Sequence, residues 1–274
     1  MNKLFVRKSS GEFEPFSEEK LRNSLLFTGA SEQNVDEIMD EVGSKVFDGI
    51  STKSIYKIAF TQLRKISRPL SAYYGTKRAL LELGPQGYHF EKFIARILKR
   101  MNYDTKVSVW IEGKCIEHEV DVIAEKDQKR LLIECKFHNA HGMKNDIKTA
   151  LYVKARSQDI SNGKYGRPHD DFWLVSNTSF SDVAIRYATC AGLHIWGSNF
   201  PPQNTLQDYI RDEKLDSITC LSSLNKKEKT MLIDSDVYLA LELQEKPQLL
   251  DDIGLTEHKK RRVLREIKKI QGRK

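Results

Sequence analysis

The sequence predicts an α/β protein built in three parts, and three observations predict it. Apolar residues follow a helical period up to Gly84-Pro85; strand-like runs then alternate with helical ones; and from Gln203 onward the pattern is helical again, in short pieces. The expected parts are residues 1–84, mostly helical with a small β-hairpin, 85–202, an α/β/α unit, and 203–274, a small helical region.

Residues 4–16 read as the hairpin, with Leu4 and Val6 leading to a Ser9-Ser10-Gly11 turn and Phe13 and Phe16 beyond it. Helices are expected over 18–28, 32–48, 52–66 and 70–83. Ser17, Ser31 and Ser51 stand where an N-cap hydroxyl accepts an amide N–H, Pro69 opens the fourth helix, and Gly29, Gly49 and Gly84 close three of them. In the second part Phe90, Phe93, Ile94, Ile97 and Leu98 make one face of a helix over 86–101. Strands follow over 105–112, 116–124 and 130–137, then a helix 143–160, a strand 172–177, a helix 180–191 and a strand 193–197. The third part breaks near Ser235, Pro247 and Gly254.

At 274 residues, 39% hydrophobic against 30% charged, the composition is globular and excludes a disordered chain. No run approaches the ~18 to 20 apolar residues of a membrane span, and the first residues lack the apolar stretch of a secretory signal, so an unexported chain with no membrane partner is expected. Cys115, Cys135, Cys190 and Cys220 stand far apart with no CxxC pair, which argues against a zinc knuckle or disulfide framework and for a reducing cytoplasm. From His258 to Lys274 there are nine Lys or Arg and one Glu, a charge of +8; the whole chain carries +7, so the first 257 residues carry −1. The basicity belongs to the tail.

Chemistry concentrates between Glu117 and Phe137. Two apolar runs flank Glu125 to Lys129, the pattern of a hairpin. A turn centred between Asp127 and Gln128 places Asp121 opposite Glu134 and Glu119 opposite Lys136, with these four on one face and Val120, Val122, Leu131, Ile133 and Cys135 on the other. Two carboxylates about 5 Å apart repel by roughly 3 kcal/mol at an effective dielectric of about 20. Lys136 supplies one compensating charge, and a hard divalent ion such as Mg2+ would supply two. An ion so held, beside a lysine, can position a water for attack on phosphorus. The same triplet also suits solvent-facing strand residues with a surface acid, and both readings stand at this point.

Gly87-Tyr88-His89-Phe90-Glu91, Val120-Asp121-Val122-Ile123-Ala124, Leu132-Ile133-Glu134-Cys135-Lys136 and Trp173-Leu174-Val175-Ser176-Asn177, with Phe180 and Ala184, resemble the PD-(D/E)xK nuclease superfamily. The similarity is to the Mrr-type restriction endonuclease catalytic domain, and it spans Gly87 to Pro201. It implies a restriction-endonuclease-like α/β/α fold in which Asp121 and Glu134 bind metal, Lys136 serves the attacking water and Glu91 contributes from its helix. Val120 stands where the family name has proline. On the helix after the strand, Lys148, Tyr152, Arg156 and Asp159 are spaced to lie near one face, and Lys148 and Tyr152 hold positions where relatives carry supporting side chains. A solvated helix face is the other reading. His138 and His141 are either phosphate or metal contacts or ordinary loop histidines.

Val6-Arg7-Lys8-Ser9-Ser10-Gly11, Glu14-Pro15-Phe16 and Lys20-Leu21, followed by four expected helices, resemble the ATP-cone, the regulatory nucleotide-binding domain of ribonucleotide reductases. A glycine turn bringing a lysine beside a helix N-terminus suits a polyphosphate. The resemblance implies ATP or dATP as a regulatory ligand, with Lys8 and Lys20 on its phosphates and Val6 and Leu21 packing the base. Ser9 stands where the family usually has arginine. Asp251-Asp252-Ile253-Gly254-Leu255-Thr256, ahead of a basic helix, is weakly similar to a helix-hairpin-helix DNA-backbone binder; a solvated basic helix is the other reading. The sequence is thus expected to specify a Mg2+-dependent DNA endonuclease, a homo-oligomer governed by adenine nucleotide. Its rival is a non-catalytic, nucleotide-responsive DNA-binding protein that uses the nuclease fold as a scaffold.

Overall fold

The computed structural model describes residues 4–8, 11–26, 30–67, 70–71, 75–84, 87–139, 143–167 and 169–272; Ser9, Ser10, Gly29, Pro69, Pro85 and His141 lie outside them. The chain divides into two compact units: residues 1–78 with 220–223 and 257–274, and residues 79–219 with 224–256.

The first unit opens with the expected hairpin, β1 (Phe5–Arg7) against β2 (Phe13–Pro15), with Val6 opposite Glu14. Helices α1 (Glu18–Leu26), α2 (Glu32–Gly43) and α3 (Thr52–Ile66) follow. Ser31 and Ser51 do act as N-caps, accepting from Asn34 and Ser54. Helix α2 stops at Gly43, five residues short of expectation. Residues 44–49 instead turn back through Gly49, at φ +83°, whose N–H donates to the Phe5 carbonyl. Val6, Leu25, Val35, Ile38, Ala59 and Leu63 make the core of this unit.

Helix α4 (Thr76–Leu81) ends within the second unit, and α5 (Gly87–Arg100) follows. Strands β3 (Asp104–Glu112), β4 (Glu117–Lys126), β5 (Lys129–Lys136), β7 (Asp170–Ser176) and β9 (His194–Trp196) form one mixed sheet in that order. Strands β3, β4 and β5 pair antiparallel, whereas β5, β7 and β9 pair parallel. The parallel connections run through α6 (Ile147–Ser161) and α7 (Asp182–Ala191), which bury Ala150, Val153, Ala184 and Ala188 together against Leu174 and Ile195. Both helices start later than the apolar pattern suggests. Lys144–Asn145 (β6) and Ser179–Phe180 (β8) pair with each other, and Asp146 and Ser181 then cap the helices.

Short helices α8 (Leu206–Asp212), α9 (Lys226–Asp234), α10 (Ala240–Glu245) and α11 (Leu249–Asp252) follow, with breaks at Ser235, Pro247 and Gly254 as expected. Part of this segment grips α5: Lys92 Nζ reaches Asp236 at 2.8 Å, Arg100 Nη1 reaches Glu245 at 2.7 Å, and His89 Nδ1 lies 3.1 Å from the Tyr238 hydroxyl. Helix α12 (Glu257–Gln271) belongs to the first unit. Its Glu266 is buried and accepts from the Ser222 and Ser223 amides, at 3.0 and 2.8 Å, while Arg261, Arg262, Arg265, Lys268 and Lys269 are exposed on its outer side. Among the described residues no helix is long and apolar enough to cross a membrane.

Candidate active site

The hairpin that carries the candidate site has the register expected from its turn. Val122 faces Ile133, Ile123 faces Leu132 and Lys126 faces Lys129, closed by Asp127 at φ +52°. What alternation alone misses is the behaviour of Asp121. The β4–β5 ladder stops at Val122, and the β3–β4 ladder skips from Val107↔Val122 to Val109↔Val120. The residue skipped in β3, Ser108, has φ +52°, so the pleat is broken at this point. As a result Val120 packs with Ile111, Leu132 and Ile160, not on the face of Ile133 where alternation puts it. The expected four-residue face of Glu119, Asp121, Glu134 and Lys136 is therefore interrupted at Asp121. Its carboxylate takes over the pairing that the backbone gives up: the Cys135 N–H donates to Asp121 Oδ2 at 2.7 Å.

Three acids share the resulting field. Burial raises the Glu91 carboxyl from 4.5 to about 7, helped by the charges of Asp121, Glu119 and Glu134. Burial and then the neighbouring Asp121 raise Glu134 to about 7, against the pull of Arg156. Asp121 is also raised by burial, in spite of the Cys135 amide and of Arg156. Lys136 is exposed at the strand end, where its backbone carbonyl accepts from the Ser176 hydroxyl at 2.8 Å. Burial, with Asp121 next, pushes the Cys135 thiol well up and disfavours its thiolate.

Arg156 is the residue that spacing alone does not assign. Nη1 lies 2.5 Å from Glu134 Oε2, a second nitrogen donates to the Glu119 carbonyl, and the guanidinium lies over the Tyr152 ring at 5.4 Å. Lys148, by contrast, is exposed, and Tyr152, also exposed, lies against Arg156. Asp159 turns elsewhere and accepts from His118 Nε2 at 2.8 Å and the Cys115 amide at 2.9 Å. These bonds, that of His118 foremost, hold its carboxyl down at about 2 and pin the 113–116 turn to α6. His138 is tied into a polar network behind β5: its ring meets Asn145 Oδ1 at 2.9 Å, and its amide donates to Asn177 Oδ1 at 2.9 Å.

The chemistry of the donor set suits a hard cation, because Asp121 and Glu134 offer oxygens and the local negative charge is undercompensated. As arranged, however, no three His, Cys, Asp or Glu side chains among the described residues group closely enough to hold a metal ion. In the first unit, Lys8 pairs with Glu14 at 2.9 Å, and Lys20 is exposed at the start of α1. Val6 and Leu21 are 3% and 9% exposed and belong to the core of that unit.

A mixed sheet with an acid-lysine pair at a strand end and a helix bringing a further acid defines a nuclease-type fold. Residues 84–199 match the restriction endonuclease family, and residues 4–79 match the ATP cone domain. Residues 218–271 match the AF1548-like C-terminal family. An uncharacterized protein of Archaeoglobus fulgidus is 33% identical over 180 residues, which cover 65% of this chain and 100% of that protein. The crystal structure of AF1548, a protein of unknown function, is 32% identical with a TM-score of 0.56 and covers 68% of this chain and 99% of that one. Can2 from Sulfobacillus thermosulfidooxidans, solved with cyclic tetra-adenylate, is 20% identical with a TM-score of 0.34, covering 45% and 34%. The chain belongs to the AF1548-like family.

Proposed function

We propose that the protein is a Mg2+-dependent DNA endonuclease whose activity or assembly responds to ATP or dATP at the N-terminal cone. The observation that carries this reading is the position of Asp121, released from both of its ladders, where its charge adds to burial in raising the affinity of both Glu91 and Glu134 for protons. An undercompensated acid cluster costs stability and is explained if a cation completes it. Asp121 and Glu134 would hold the ion, with Glu91 from α5 beside them. Such an ion, when bound, supplies Lewis acidity to a water and to a phosphoryl oxygen. Lys136 orients the attacking water and faces the charge that develops on phosphorus. The basic face of α12 provides phosphate contacts that carry no sequence information.

A second reading, a DNA-binding scaffold without catalysis, is favoured by the engagement of Glu134 with Arg156. Nicking of supercoiled plasmid, with Mg2+ or with a chelator, separates the two. We expect cleavage only with Mg2+, abolished in Asp121→Ala, Glu134→Ala and Lys136→Ala while DNA binding persists. Cleavage that survives Asp121→Ala overturns the site, and a wild-type protein that binds DNA without cleaving it supports the scaffold.

A further inference from the structure

We propose that Arg156 is a latch on the candidate metal site: its guanidinium withholds Glu134 from the ligand set, and a divalent cation gains that carboxylate only as the ion pair opens. The inference rests on the reading of Asp121 and Glu134 as cation ligands. Arg156 and Glu134 are 14% and 23% exposed, so their 2.5 Å pair is shielded from solvent and its opening is costly. The guanidinium is held from three sides, by Glu134, by the Glu119 carbonyl and by the Tyr152 ring. It therefore spans β4 and β5 on either side of Asp121. Alongside that ion pair, no three acids among the described residues group as a metal site. A cation and a guanidinium competing for one carboxylate repel each other as well, so each weakens the other's hold by the same factor.

The opposite role, a support that orients Glu134 toward the ion, makes the opposite prediction. A hydrogen bond to a charged group contributes enough that its removal should tighten cation binding by at least about tenfold if Arg156 is a latch. The test is calorimetric titration of the full chain with Mn2+, comparing wild type, Arg156→Gln, Arg156→Lys and Asp121→Asn. Arg156→Gln should bind Mn2+ at least about tenfold more tightly than wild type. Arg156→Lys, which keeps the charge but cannot reach Glu134 and the Glu119 carbonyl together, should fall between them. It also serves if the glutamine variant does not fold. Binding lost in Asp121→Asn but unchanged or weakened in both Arg156 variants overturns the latch and leaves the metal site standing. No Mn2+ binding by any of the four overturns the metal reading itself.

Discussion

Replacing Glu91 with glutamine should stabilise the metal-free protein at alkaline pH and not at acidic pH. The Glu91 carboxyl is raised from 4.5 to about 7, chiefly by burial and then by Asp121, Glu119 and Glu134. A folded-state value above the unfolded one means that the native protein binds the extra proton, so stability falls as pH rises from the unfolded value to the folded one. Above about pH 7 the full penalty applies. The span from 4.5 to about 7 corresponds to ~3 kcal/mol at ~1.4 kcal/mol per unit, and a half-buried side chain retains about 1 to 2 kcal/mol of it after solvent screening. Glutamine has nearly the same shape and no charge. Urea unfolding in chelator at about pH 5 and pH 8 should therefore show the variant gaining on wild type by about 1 kcal/mol between the two. A constant difference across that range would refute the reasoning, because it would mean that Glu91 carries no electrostatic penalty in the native state.

Three further outcomes are expected. Glu266→Gln should destabilise the protein by about 1.5 to 3 kcal/mol at neutral pH, because the buried carboxylate accepts charge-assisted bonds from Ser222 and Ser223. Those bonds hold its carboxyl below the usual range despite burial, so wild-type stability should be lost as pH falls below about 4.5, and unfolding curves of the variant should lack that component. Replacing Arg261, Arg262, Arg265, Lys268 and Lys269 with glutamine should weaken DNA binding equally across sequences, and the salt dependence should flatten by about 0.9 in log-log slope for each phosphate no longer neutralised; an unchanged slope would assign this face to another partner. Lys8→Ala and Lys20→Ala should abolish ATP binding in calorimetry, and if cone and nuclease are coupled, ATP should alter wild-type DNA affinity about 5- to 150-fold.

The parts of the site that are legible in the sequence are those fixed by local period. Strand alternation and a two-residue turn at Asp127-Gln128 suffice to place Val122 against Ile133. The break at Asp121 is not legible, because it depends on Ser108, 13 positions earlier in a neighbouring strand, adopting a left-handed conformation that nothing in its local sequence demands. Arg156 is visible only as one of four polar residues on a helix, since its partners Glu134 and the Glu119 carbonyl come from other elements. The late start of α6 has a signal that the apolar pattern outweighs: Asp146, whose side chain accepts from the Thr149 amide.

The composition of the first compact unit bears on how the protein is made. Residues 1–78 share that unit with 257–274, and within it Val263, Ile267 and Ile270 of α12 are fully buried. During synthesis the hairpin and first helices emerge well before that helix exists, with a delay on the order of 10 s or more at ribosomal speed. Throughout that interval the apolar surface that α12 will cover has no cover from it. The intervening unit, residues 79–219 with 224–256, is complete before α12 has been made. The order of assembly thus differs from the order of the sequence: the unit whose residues come first is the last to close, and a nascent chain stalled before residue 257 would carry a finished nuclease-type unit and a first unit still without α12.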